Sequence, residues 1–278
     1  MALHITSLNS GSNGNCYYVG NDTEAVLIDA GLSCRETEKR MARLSLSFDK
    51  VKAIFISHEH SDHIRGVPGI ASKYNLPVYV THQTLRHCPF TLDKSKVTYF
   101  GSNEDICIGG LCVTAFPKLH DASEPHSFVV SYNNIKVGVF TDIGAPCLHL
   151  THHFKQCHAA FLEANYDEEM LDKGRYPIYL KNRIRGGKGH LSNHQAATFF
   201  AEHRSPNMQC LILAHLSHQN NCPKLVHQLF SAKALGTEVV VASRFKETAV
   251  YTIKNEMVPA YKSAINLPPK PVYQMTLF

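Results

Sequence analysis

The sequence predicts a four-layer α/β sandwich, two β-sheets packed face to face with helices on the outside. Two observations carry this. Short runs rich in β-branched and aromatic residues alternate with helical stretches, and that alternation recurs in a second β-rich half of the chain, as two stacked sheets require. With 278 residues, 44% of them hydrophobic, the chain is long enough to bury a large core.

The elements follow in order. Residues 3–8, 16–19, 25–28, 53–56 and 78–80 read as strands, and residues 35–44 and 67–74 as helices. Residues 97–100, 106–116, 127–132 and 136–140 add strands, with Asn133-Asn134 marking a hairpin turn. Further strands are expected at 160–163, 210–214, 238–242 and 249–253, separated by helices near 193–203 and 222–234. No short-period repeat is visible. After Met257 the pattern changes: Leu267-Pro268-Pro269-Lys270-Pro271 is extended and semi-rigid. The expected organisation is a body of residues 1–256 and an extended tail of residues 257–278.

Composition narrows the class of function. The start of the chain lacks the basic segment and apolar core of a secretory signal, and no apolar run approaches a membrane span, so the expectation is a cytoplasmic protein that engages no membrane. The nine cysteines form neither a CxxC pair nor a small secreted framework, so free thiols are expected. A net charge of +5 is compatible with an anionic substrate but does not by itself argue for nucleic acid.

The chemistry is concentrated in His58-Glu59-His60-Ser61-Asp62-His63, directly after the apolar run that ends at Ser57. In an extended loop, residues two apart point the same way. His58 and His60 can therefore grip one cation while Asp62 and His63 turn toward a second. More ligands are needed, and residues of the right type follow other strands: His120-Asp121 after Phe116, Asp142 after Phe140, and His215 after Ala214.

In that order the motifs resemble those of the metallo-β-lactamase superfamily: Asp29, the loop from His58 to His63, His120, Asp142 and His215. The resemblance implies that His58, His60 and His120 hold one metal, that Asp62, His63 and His215 hold another, and that Asp142 bridges them. It implies too that Asp29 orients a ligand histidine from behind. Two divalent ions of zinc, manganese or iron fit such donors. Ions about 3.5 to 4 Å apart can share a water and lower its pKa toward ~7. No Ser or Cys nucleophile is then required, and Asp62 or Asp142 is expected to steady the water or accept its proton.

Substrate class must be read elsewhere, because this fold hosts many hydrolyses. Residues 176–195 place Lys181, Arg183, Arg185 and Lys188 among glycines just before His190. Ser192 and Gln195 form a capping box, so His190 precedes a helix start whose amides favour anions. Arg183, Arg185, Lys188, His190 and Asn193 are the expected phosphate contacts. The Gly189-His190-Leu191-Ser192-Asn193 string resembles the histidine motif of the superfamily's nucleases, which implies that His190 touches the scissile phosphate or assists the leaving oxygen.

A narrower likeness completes the reading. Ser10-Gly11-Ser12-Asn13-Gly14-Asn15, His120-Asp121-Ala122 with Pro125, Glu163-Ala164-Asn165, the string around His190, and His215-Leu216-Ser217 together resemble the YycJ/WalJ-like bacterial exonucleases. The resemblance implies a 5′ to 3′ DNA exonuclease of DNA repair. The alternatives are a hydrolase of a small ester, thioester or cyclic phosphodiester, a ribonuclease of the same fold, and a module that only binds DNA or a clamp. The intact ligand set argues against the last. Independently, Gln274-Met275-Thr276-Leu277-Phe278 matches a Q-x-x-L-F docking pattern for the bacterial DNA sliding clamp. Leu277 and Phe278 would fill an apolar pocket there and Gln274 would add hydrogen bonds.

Overall fold

Two seven-stranded sheets face one another in the structure, a computed structural model that describes residues 1–255. The strands are β1 (Ala2–Asn9), β2 (Cys16–Gly20), β3 (Ala25–Ile28), β4 (Val51–Phe55), β5 (Val78–Val80), β6 (Val97–Tyr99), β7 (Asp105–Ile108), β8 (Leu111–Pro117), β9 (His126–Tyr132), β10 (Ile135–Phe140), β11 (Ala159–Glu163), β12 (Cys210–Ala214), β13 (Glu238–Val241) and β14 (Tyr251–Lys254). The first sheet runs β14-β1-β2-β3-β4-β5-β6 and the second β13-β12-β11-β10-β9-β8-β7. The expected tail, with Gln274, Leu277 and Phe278, lies outside the described residues.

Alternation along each strand sorts side chains into layers. In β3, Val26 and Ile28 point between the sheets, where they meet Phe55, Phe128, Val137 and Phe161. Ala25 and Leu27 point outward onto α1 (Cys34–Arg43), α2 (Ser61–Ile64) and α3 (Val67–Lys73), which contribute Met41, Ile64, Val67 and Ile70. A short α4 (His82–His87) follows β5. Phe140 and Leu162 of the second sheet point outward onto α5 (Leu148–Phe154), α8 (Asn193–His203) and α9 (Pro223–Ser231), through Phe154, Phe200 and Phe230. The remaining helices are α6 (Glu168–Lys173) and α7 (Ile178–Arg185). The result is the four-layer helix–sheet–sheet–helix sandwich expected from the sequence. No helix of the described residues is long and apolar enough to cross a membrane.

Several expectations are refined. The single strand expected over residues 106–116 is a hairpin, β7 and β8, turned at Gly109 with φ +57°. That turn sets Cys107 opposite Cys112, and the two are joined as a disulfide, Cα atoms 4.0 Å apart, which corrects the expectation that all cysteines are free. Asn133 and Asn134 form the expected tight turn, both with positive φ. Part of the basic segment, for which the sequence reading gave no helix, is α7, which starts after Pro177 and stops at Gly186, the punctuation that defines a short helix.

What matters for function is direction. β3 and β4 pair in parallel, as do β10, β11 and β12, and β8 runs the same way as β10 because both are antiparallel to β9. Chain segments leaving the carboxyl ends of these strands collect along one edge of the sandwich, the usual place for a ligand site in parallel sheets.

Candidate metal centre

Each expected ligand sits just past one of those strand ends. His58, His60, Asp62 and His63 follow β4, His120 follows β8, Asp142 follows β10 and His215 follows β12, while Asp29 follows β3. The His58–His63 loop can pack this tightly because Gly31 lies beneath it: a Cβ there would meet the Asp62 carbonyl oxygen at 1.7 Å. Asp29, Asp142 and His215 share a further feature that no motif shows. All three are non-glycine residues in the left-handed region, with φ of 60°, 56° and 56°. A left-handed L-residue costs about 1 kcal/mol, and three in one place mark a site whose geometry is held against local preference.

The rear nitrogens of His58, His63, His120 and His215 are tied down, and the front nitrogens converge. His63 Nδ1 donates to Asp29 Oδ2 at 2.7 Å, and Asp29 also accepts from the Ser57 amide and hydroxyl, both at 2.8 Å. His120 Nδ1 donates to the Gly189 carbonyl at 3.1 Å, His215 Nδ1 donates to Glu163 Oε1 at 3.0 Å, and His58 Nδ1 meets Ser57 Oγ at 2.8 Å. Such bonds fix tautomer and ring orientation around metals. In front, His60 Nδ1 lies 3.0 Å from His58 Nε2 and 3.4 Å from His120 Nε2. His63 Nε2 lies 3.2 Å from Asp142 Oδ2, and His215 Nε2 lies 3.5 Å from Asp62 Oδ2. Donor atoms of His58, His60 and His120 fall within 4.8 Å of one another, as do those of Asp62, His63 and His215, with Asp142 grouped with His58 and His63 and also with His215.

Charge and satisfaction ask for cations here. Asp142 Oδ2 and His215 Nε2 are buried without a hydrogen-bond partner, and such orphans are costly unless something else satisfies them. Burial pushes His58 far below its ordinary value and His120 down to about 4, leaving both neutral, the form that binds a metal. Burial also lowers His63, but Asp142, Asp29 and Asp62 outweigh it and raise that ring to about 10. Buried carboxylates and imidazoles converging with unsatisfied atoms fit divalent metal ions.

Three supporting residues had no assigned role in the sequence reading. Glu163, at the end of β11, accepts from His190 Nδ1 at 2.7 Å, from His215, and from the Ile143 and Leu191 amides at 2.7 and 3.2 Å. Burial pushes its carboxyl up, but His190 and His215 hold it down to about 2. Asn15 Nδ2 donates to Asp62 Oδ2 at 3.0 Å, so the Ser10–Asn15 turn braces the histidine loop. Lys118 is buried and donates to the Thr141 carbonyl at 2.7 Å, pinning the residue before Asp142. An apolar strand followed by Glu or Lys was the available signal for two of them.

The expected phosphate contacts divide. His190 and Arg183 line the cavity over His60, Asp62, His120, Asp142 and His215, and the Arg183 guanidinium is paired with Asp121. The structure does not bring Arg185, Lys188 or Asn193 to that cavity. Arg185, the last residue of α7, pairs instead with Asp172 at 2.7 Å, and Lys188 is exposed outside the lining. Asn193 is buried and exchanges amide hydrogen bonds with Asn221 at 2.9 and 2.8 Å. Ser192 and Gln195 do form the capping box, and the Asn193 amide donates to Tyr166. The start of α8 is thus closed by the protein rather than open to an anion.

Comparison with known proteins agrees with this architecture. Residues 10–182 match the metallo-beta-lactamase superfamily. The chain is 37% identical over 243 residues to exodeoxyribonuclease YycJ of Bacillus anthracis, covering 85% of this chain and 92% of that protein. It is 30% identical over 244 residues to exodeoxyribonuclease WalJ of Streptococcus pneumoniae, covering 86% and 91%. Among solved structures, the metallo-beta-lactamase fold protein YhfI of Bacillus subtilis superposes with a TM-score of 0.68 at 15% identity, over 91% of this chain and 100% of that one. Fold, converging ligand atoms and sequence identity agree that this chain belongs to the metallo-beta-lactamase superfamily, in the family of the YycJ and WalJ proteins, and is a metal-dependent hydrolase.

Proposed function

We propose that the protein is a two-metal exonuclease that degrades DNA from the 5′ end in cytoplasmic DNA repair. His58, His60 and His120 would hold one ion, Asp62, His63 and His215 the other, and Asp142 would be shared between them; zinc, manganese and iron all suit the donors. When bound, the ions supply Lewis acidity at a phosphoryl oxygen and a water of lowered pKa.

The observation that carries the phosphodiesterase reading is His190. Its ring lines the cavity beside the ligand cluster, and Glu163 takes the hydrogen bond from Nδ1 at 2.7 Å. With Nδ1 held by Glu163, Nε2 is the nitrogen left for substrate, and when the ring carries both protons it can pass one to the departing oxygen, the task of a general acid oriented by a carboxylate. Arg183, steered by Asp121, is positioned to meet a phosphate at the same opening. DNA as substrate is supported by the relatives, both named exodeoxyribonucleases. The body is residues 1–256, and the Gln274, Leu277 and Phe278 motif of the tail docks on the sliding clamp.

Incubation with end-labelled DNA and RNA in zinc, manganese or iron tests the reading. The expected result is stepwise release of nucleotides from 5′-labelled DNA. Absence of nucleic-acid cleavage in every metal, with turnover of a small ester, would overturn it, and preference for RNA would move it to a ribonuclease.

A further inference from the structure

The loop between β13 and β14 carries Arg244-Phe245-Lys246, an aromatic residue between two cations. The Phe245 ring is 72% exposed, yet its backbone is held firmly. Its carbonyl accepts from the Arg40 guanidinium at 3.3 Å, and that buried guanidinium also donates to the Leu8 carbonyl and to Asn9. The Phe245 amide donates to Ser243 Oγ at 3.0 Å, and the neighbouring Arg244 carbonyl accepts from Asn13 at 2.8 Å. The backbone is thus fixed while the side chain faces solvent, with the His218 ring 6.0 Å away and tilted by 75° and the Arg244 guanidinium 6.0 Å from the Phe245 centroid.

Phe245, Arg244 and His218 wall a cavity of about 240 Å³, and no carboxylate lines it. Leu216 and Ser217 are shared between this cavity and the one containing Asn165, Tyr176 and His190. The latter shares Ser12, Arg183, His190 and His215 with the opening over the ligand cluster. Three adjoining cavities are therefore aligned from the converging donor atoms, past Leu216-Ser217, to Phe245, and read together they form a trough. Single-stranded nucleic acid binds in grooves of this composition, with bases stacked on aromatic faces and the backbone beside cations.

We propose that this trough is a track for a single nucleic-acid strand leading from the metal centre, in which Phe245 stacks a base away from the reacting phosphate and Arg244 meets the backbone. The proposal rests on the nuclease reading above. The test measures, for the wild type, Phe245→Ala and Phe245→Trp, the ratio of kcat/KM on single-stranded oligonucleotides of 2 and 12 nucleotides to that on bis(p-nitrophenyl) phosphate, a diester too small to span the trough. Phe245→Ala is expected to lower the 12-mer ratio about tenfold or more, through KM, as loss of one stacked base does. Its effect on the dinucleotide ratio should be far smaller, and Phe245→Trp should restore the 12-mer ratio. Equal 12-mer ratios for the wild type and Phe245→Ala overturn the track while leaving the nuclease reading standing. A wild type that turns over the small diester but neither oligonucleotide overturns both.

Discussion

Two histidine-rich regions of this chain look alike in composition and differ in everything that makes a metal site. One gathers His58, His60, His63, His120 and His215 at the strand ends. The other gathers His149, His152 and His153 on α5, around a cavity that Asp105 and Lys136 also line. In the first, the rear nitrogens of four of the five rings are bound, front nitrogens converge, and Asp62 and Asp142 enter the same space. In the second, His153 stacks on Phe116 with centroids 4.3 Å apart, and His152 meets Gln156 at 3.0 Å. No three ligand atoms converge there among the described residues. Histidine density alone does not build a centre; it takes parallel strand ends to aim the rings and buried carboxylates to demand a cation.

The sharpest way to break this contrast is Asp142→Asn. Asp142 is the carboxylate grouped with members of both triads, and its replacement is expected to cut kcat by at least about a hundredfold and to lower bound metal, beyond the 10–100-fold typical of outer partners. Metal titration and steady-state kinetics measure both. A smaller effect is expected from Glu163→Gln. One rear partner of His190 and His215 changes while the ligands stay, so kcat should fall roughly tenfold to a hundredfold with metal content largely retained.

The smallest effect lies in the α5 region and is a proton effect. Burial, with help from His152 and Lys136, holds His153 down to about 4, against an ordinary value of 6.5. Between those two values the unfolded chain binds the extra proton, so this residue's contribution to stability is intact above pH 6.5 and erodes as pH falls toward 4. In denaturant titrations from pH 7 to pH 4, the wild type should lose roughly 1 to 2 kcal/mol more than His153→Phe, allowing for solvent screening at a half-buried ring. Metal content should be the same in both.

Much of the first region was legible in the sequence because its candidate ligands follow apolar strands at short offsets, in the order of the motifs that carry the family resemblance. The four layers were legible for a related reason: strands buried on both faces read as continuous apolar runs, as β3, β11 and β12 do. Other features were not. Glu163 and Lys118 carry only the weak signal of a charged residue at the end of an apolar strand, and they acquire their roles from neighbours far along the chain. The basic segment was misjudged because charge density hid the helical spacing of Leu180 and Ile184, and α7 then turns Arg185 toward Asp172. Asn193 was expected to contact a phosphate, whereas the fold spends its side chain on Asn221. The left-handed φ of Asp29, Asp142 and His215 follows from tertiary constraint, which no local propensity encodes.

The most direct test is elemental analysis of gently purified protein combined with dialysis against a chelator. Two equivalents of divalent metal per chain are expected, with hydrolysis lost on dialysis and regained when metal is returned. One equivalent or none, with hydrolysis undiminished after the chelator, would contradict a centre built for a pair of ions.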